Sequence, residues 1–250
     1  MADDLTEPGG SVRLFVAADL AEGARVALDE GQAHYLLHVM RARAGDRVRL
    51  FNGRDGEWLA AVAETRKRSC VMECLARTGA QHAVPDLWLV FAPIKKTPAD
   101  YVTQKATELG VRVLQPVLTH RTIARRVNLE RLHANAVEAA EQSGRVDVPE
   151  LRELRDLDKL LADWPRERRI LFCDEGGDVP PIARALQAAP AGAWAILTGP
   201  EGGFDASERA MLRAQPFVVP VGLGARILRA DTAALAALSV WQALAGDWRA

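Results

Sequence analysis

Two different spacings of apolar residues divide this chain. Over residues 12–80, the short runs RLFVA, DRVRLFNG, GEWLAAVAET and SCVMECLART alternate or run apolar between turn signals. That pattern predicts short β-strands. NGRDGE, Asn52–Glu57, reads as a hairpin connection. One helical piece interrupts, AHYLLHVMR, with Leu36, Leu37 and Met40 on its apolar face. Residues 1–80 therefore predict a small, mostly β, barrel-like domain. The polar stretch Thr78–Pro85 reads as a linker.

From residue 84 onward the pattern lengthens. LWLVFAP is a buried-strand run. Thr97 is expected to cap a helix, with Pro98 at its first position, Asp100 three residues after the cap and Gly110 at its end. VRVLQPVLT predicts the next strand, and Asn128 a second cap, for a helix running to about Ser143. RRILFCDE, AWAILTG and PFVVPVG predict three more strands. Strands alternating with helices mean an α/β sheet with much parallel pairing over residues 84–250. The last helix, DTAALAALSVWQALAG, is apolar almost all round. Such a helix is buried on more than one side, in a subunit interface or at the centre of a monomer.

Composition narrows the class only modestly. An apolar fraction of 49% and a charged fraction of 26% are ordinary for a globular protein. No apolar run approaches the length of a membrane span, and the acidic N-terminal segment lacks the features of an export signal. The three cysteines are too scattered for a disulfide framework, so a cytoplasmic setting is expected. Net charge is −1, yet arginines cluster at Arg41, Arg43, Arg47 and Arg49, at Arg66 and Arg68, and over Arg121–Arg126. Basic patches on a neutral protein suit a phosphate-rich partner, or simply a solvated surface.

Two glycine-marked loops carry the candidate chemistry: LTGPEGGF at Leu197–Phe204 and VGLGARILRADTAA at Val221–Ala234. Neither is a Walker or GxGxxG loop. Each follows a strand-like run, where an α/β sheet presents main-chain N–H groups to a ligand. Glu201 is a candidate ligand contact or a turn cap. Arg229 is read as a buried arginine at a helix entry, with Asp231 or Thr232 as the N-cap and either a ligand or Asp231 as its partner. EAAEQSGR, Glu138–Arg145, is a polar cluster that could touch a substrate or merely end a helix. His34 and His38 lie four apart, as do Cys70 and Cys74, but nothing completes a metal site, and none is expected.

Taken in order, KKTPADYVTQKATELGV, PVLTHRT, EAAEQSGR with VPEL, LTGPEGGF and LGARILRADTAALAAL resemble the bacterial 16S ribosomal RNA uridine-N3 methyltransferases. RLFV and HYLLHVMRARAGDRVRLFNG resemble that family's first domain. The resemblance spans nearly the whole chain. It implies a PUA-like β-barrel over 1–80 and a SPOUT-type α/β domain over 84–250, tied in a trefoil knot and forming a homodimer. Periodicity alone gives no hint of a knot. The cofactor implied is S-adenosyl-L-methionine, and the partner is 16S rRNA of the small ribosomal subunit. Carried over by motif, the cofactor contacts are Leu197, Gly199, Gly202, Val221, Leu223, Gly224, Ile227, Leu228 and Thr232. Arg229, Glu201 and Asp231 are the catalytic candidates. Arg41, Arg43, Arg47, Arg49, Lys95, Arg121 and Arg145 are the RNA-contact candidates. The family usually has glutamate where this chain has Asp231. No histidine occurs in the segments expected to form the knot, which leaves the proton acceptor open. A non-catalytic RNA-binding protein and a small-molecule α/β enzyme are the competing readings.

Overall fold

Leu87, Leu89 and Phe91 face one hydrophobic cluster and Trp88 and Val90 another, because successive residues of a strand point to opposite sides. Both faces of this strand are buried, which explains its unbroken apolar sequence. It belongs to the larger of two compact units in a computed structural model that describes residues 12–94, 96–187 and 192–249, apart from the side chains at 96 and 97. The units comprise Met1–Ala83 with Ala140–Val148, and Val84–Ala139 with Pro149–Ala250.

The first unit holds a five-stranded sheet of β1 (Arg13–Phe15), β2 (Arg25–Ala27), β3 (Arg47–Phe51), β4 (Glu57–Arg66) and β5 (Ser69–Gly79), in the order β1-β3-β4-β5-β2. β1 and β3 run parallel, and the other neighbours antiparallel. Alternation sets the core face, with Cys70, Met72 and Cys74 of β5 buried on it. The Asn52–Glu57 hairpin joins β3 to β4 as the sequence predicts. Asn52 Oδ1 accepts from the N–H groups of Arg54 and Asp55. Gly56 turns the chain at φ +81°, where an added Cβ would lie 2.3 Å from the Gly79 carbonyl oxygen. The expected helix is α1 (Glu30–His34), started by an Asp29–Gln32 capping box, and it widens into a π-turn over Tyr35–Val39. The widening lets Met40 N–H reach the Tyr35 carbonyl at 3.0 Å. Arg41 then leaves the turn in the left-handed region, φ 57°.

Residues 140–148 complete this unit through Arg13. Its guanidinium pairs with Glu57 at 2.7 Å and donates to the carbonyls of Ala140 (2.9 Å), Glu141 (3.0 Å) and Arg145 (2.6 Å). The Glu141 carboxylate accepts the Phe15 N–H at 2.9 Å. Arg145 is itself 7% exposed and pairs with Asp147 at 3.0 Å. Arg145, a residue expected to meet RNA, is thus buried within this unit.

Among the described residues the second unit has seven strands, all paired in parallel: β6 (Leu87–Phe91), β7 (Val113–Leu118), β8 (Glu150–Leu151), β9 (Arg155–Asp156), β10 (Arg169–Cys173), β11 (Trp194–Thr198) and β12 (Val218–Val221). Their order is β12-β10-β11-β6-β7-β8, with β9 also beside β7. The helices are α2 (Lys96–Glu108), α3 (Leu129–Ser143), α4 (Leu157–Ala162), α5 (Ile182–Gln187), α6 (Ala206–Arg213) and α7 (Ala230–Ala245). Asn128 caps α3 as expected, accepting the Arg131 N–H at 2.9 Å. α2 begins at Lys96, so Thr97 lies inside the helix rather than at its cap. On α7, Ala234, Ala237, Leu238 and Trp241 are buried against the core, whereas Leu235, Val240 and Leu244 stay partly exposed. The fully buried Gln242 donates to the Leu109 carbonyl at 2.5 Å and accepts the Asp247 N–H at 3.1 Å, fixing α7 to the end of α2.

Candidate functional site

The carboxyl ends of the adjacent strands β12, β10, β11 and β6 carry the chain's irregular loops, the place where open α/β sheets bind ligands. Leu197 and Val221 are fully buried in opposite cores, so only their main-chain atoms can meet a ligand. After β11, Gly199 lies against Phe204, and a Cβ there would sit 2.7 Å from the ring. Phe204 cannot yield easily: it is 1% exposed and packs edge-on against Phe172, with centroids 4.9 Å apart. Gly199→Ala is therefore expected to cost about 1–3 kcal/mol by overpacking, read as a lower urea midpoint with an unchanged slope. Gly202 is exposed, and its carbonyl accepts from Arg121 Nη1 at 2.9 Å. Glu201 is exposed beside it.

After β12, Gly222 bridges to Pro181 and Gly224 takes φ +104° with open space around it. Leu223 packs against the α7-side core, Leu228 is partly buried, and Ile227 is left 91% exposed. Arg229 differs from the sequence expectation in two ways. It is exposed, and it is itself the N-cap of α7, its carbonyl accepting the Ala233 N–H at 2.8 Å. Asp231 instead lies in the first turn and accepts the Thr232 N–H at 2.7 Å, with the Thr232 hydroxyl 3.3 Å away. Among the described residues no acid pairs with Arg229, so its guanidinium is open to a ligand.

Two clusters support these loops that the sequence did not suggest. Asp174, at the end of β10, has a fully buried side chain that accepts from Arg213 at 2.6 and 3.0 Å, with Arg209 Nε 3.3 Å away. At the end of β7, His120 Nδ1 and Asp205 Oδ2 lie 2.6 Å apart, and the His120 N–H donates to Glu208 Oε1 at 2.7 Å. Asp205 and Glu208 form the capping box of α6. The pairing raises the His120 pKa above its ordinary value, chiefly through the Asp205 hydrogen bond and then the Glu208 charge. Asp205 is held far below the usual carboxylate range, first by the Glu208 N–H. Burial pushes the Cys173 thiol up to about 12, which removes it as a nucleophile near neutral pH.

Of the RNA-contact candidates, Arg41, Arg43 and Arg47 are exposed in the first unit, and Arg121 is exposed in the second. Arg49 is partly covered and lies 3.5 Å from Glu57. Lys95 lies outside the described residues. His34 and His38 are exposed, with ring centroids 4.9 Å apart.

The profile of the RNA methyltransferase domain matches residues 81–242, and that of the RNA methyltransferase PUA domain residues 28–73. A Rickettsia conorii protein named ribosomal RNA small subunit methyltransferase E is 30% identical over 91% of this chain and 93% of its own length. This chain belongs to that family. It is an RNA methyltransferase with the family's SPOUT-type α/β fold and N-terminal PUA domain. A Neisseria gonorrhoeae enzyme of the same name, crystallised with S-adenosyl methionine, superposes with a TM-score of 0.86 at 29% identity, covering 95% of this chain and 99% of that one. A putative methyltransferase from Legionella pneumophila in complex with the same cofactor gives 0.83 at 26% identity, with the same coverage.

Proposed function

We propose that this chain transfers the methyl group of S-adenosyl-L-methionine to N3 of one uridine in 16S rRNA of the small ribosomal subunit. The observation that carries the reading is the convergence of both glycine loops on the carboxyl ends of β10, β11 and β12, with the exposed Arg229 opening α7 beside them. The donor set fits such a cofactor. Gly224 stands in open space, and Gly199 and Gly202 bring main-chain groups to the same loops with no side chain of their own. Leu223, Ile227 and Leu228 offer apolar cover for a purine, and the Thr232 hydroxyl is exposed.

The bound cofactor supplies an electrophilic sulfonium methyl group. The protein must hold uridine N3 in line with it, and positioning of that kind is worth roughly 7–11 kcal/mol. N3 must also lose a proton that it holds at neutral pH. Arg229 stabilises the anion by donating to a uracil carbonyl, and lowering the N3 pKa by about two units contributes about 2.7 kcal/mol. Glu201, exposed in the neighbouring loop, is preferred to Asp231 as the proton acceptor, because Asp231 already accepts within its own helix.

Arg41, Arg43 and Arg47 contact RNA phosphates in this reading. Their joint replacement by alanine is expected to weaken RNA binding and to flatten its salt dependence by about two units of slope. An unchanged slope removes them from the interface. The partly exposed Leu235, Val240 and Leu244 on α7 support a homodimer. The trefoil knot is supported by the path from β12, at one edge of the sheet, into α7, which packs on α2, α5 and β11. No helix of the described residues is long and apolar enough to cross a membrane, which is consistent with a cytoplasmic enzyme. Titration calorimetry with S-adenosylmethionine tests the cofactor assignment. One site per chain is expected, and the absence of heat and of competition by S-adenosylhomocysteine would overturn it.

A further inference from the structure

The end of β7 is fastened to the glycine loop at several points, and one fastening depends on charge. Arg121 Nη1 holds the Gly202 carbonyl at 2.9 Å. The His120 N–H and the Asp205 N–H each take one oxygen of Glu208, at 2.7 and 3.1 Å. Asp205 Oδ1 accepts from the Glu208 N–H and the Ser207 hydroxyl, which leaves Oδ2 for His120 Nδ1. Asp205 directly follows Phe204, the ring against which Gly199 packs. A pull on Asp205 is therefore a pull on the loop's far end. The donor atoms of His120, Asp205 and Glu208 lie within 4.8 Å of one another, as a metal site would require. Their carboxylate oxygens already accept from N–H and O–H groups or meet the imidazole, so the cluster works as a clamp.

We propose that protonated His120 is a positioning residue: its pair with Asp205 latches the Gly199–Phe204 loop in the shape that receives the cofactor, so cofactor affinity falls when the imidazole loses its charge. The inference rests on the cofactor assignment above. The charged groups acting on His120 are Asp205 and Glu208 from α6 and Asp158 from α4, all acidic, with Arg121 next to it on its own loop. Their sum favours the charged imidazole. The raised His120 value means that this contribution is fully present below 6.5 and fades as pH rises through the raised value. Asp205, depressed below 3.8, keeps its charge throughout that range. A neutral imidazole still hydrogen-bonds to the carboxylate, so the effect is that of one exposed ion pair, about two- to fivefold.

The test measures two quantities from about pH 6 to about pH 9, the range over which a histidine changes charge. One is the Kd for S-adenosylhomocysteine. The other is the exchange protection of the loop amides at 199–205, corrected for intrinsic rate. In the natural protein both should weaken by about two- to fivefold as pH rises. His120→Gln, which keeps a hydrogen-bond donor but does not titrate, should make both flat. Asp205→Asn still caps α6 and should also be flat. A natural protein with flat profiles overturns the latch, and so does loop protection that changes with pH while Kd does not. Failure to bind S-adenosylhomocysteine at every pH overturns the cofactor assignment instead, and the loop protection then decides the latch alone.

Discussion

Arg229→Ala is expected to lower methyl transfer by about 10²–10³-fold, the scale on which a single preorganised donor to a developing oxyanion acts. Affinity for S-adenosylmethionine should change by less than about threefold, because in the proposed function the guanidinium serves the uracil and not the cofactor. The structure makes this separation possible. Arg229 caps α7 through its main chain, so alanine keeps the carbonyl that accepts the Ala233 N–H. Among the described residues its side chain has no ion-pair partner, and removing it leaves no orphaned acid. Single-turnover rates with saturating cofactor measure the effect. Unchanged turnover would remove Arg229 from the chemistry, and a parallel loss of cofactor affinity would place it in the cofactor pocket.

The second large effect is one of stability. Arg13→Ala is expected to destabilise the first unit by about 3–5 kcal/mol, the usual result of removing one member of a buried charged network. Arg13 is 9% exposed; its loss takes from Glu57 its 2.7 Å partner, leaving Arg49 at 3.5 Å, and takes the guanidinium donor from the main-chain carbonyls of Ala140, Glu141 and Arg145. It also lies over the Phe51 ring at 4.6 Å. Lysine cannot repair the network, because one ammonium cannot reach a carboxylate and three carbonyls in a planar fork. Urea unfolding followed by tryptophan fluorescence would show the shift. A change below about 1 kcal/mol would mean that the carbonyls find water instead.

Strands were legible wherever burial wrote itself into composition. β6, β10 and β11 are covered on both faces and read as continuous apolar runs. β5 is covered on one face and alternates. Caps were legible where the chemistry is local: Asn128 starts α3 with a bond to a residue three positions on. α6 carries the same kind of signal in Asp205 and Glu208, although at eight residues it offers little periodicity beside it. Two arginines exchanged their expected places. Arg145 sits in a polar-looking helix end yet is buried, because its carbonyl and those of its neighbours are acceptors for an arginine 127–132 residues earlier in the chain. Arg229 follows an apolar stretch yet is exposed, because the loop before α7 leaves the core at Gly224. His120 was invisible as a site residue for the same reason as Arg145: its partner, Asp205, is 85 positions away. Residue type and spacing record local hydrogen bonds and burial. They do not record which strand ends the sheet order brings side by side.

The most direct test of the account is methyl transfer from labelled S-adenosylmethionine to small ribosomal subunits that lack the modification, with the product nucleoside identified. Label is expected in N3-methyluridine at a single position of 16S rRNA. Label in a different nucleoside, or no transfer by a protein that binds the cofactor, would contradict it.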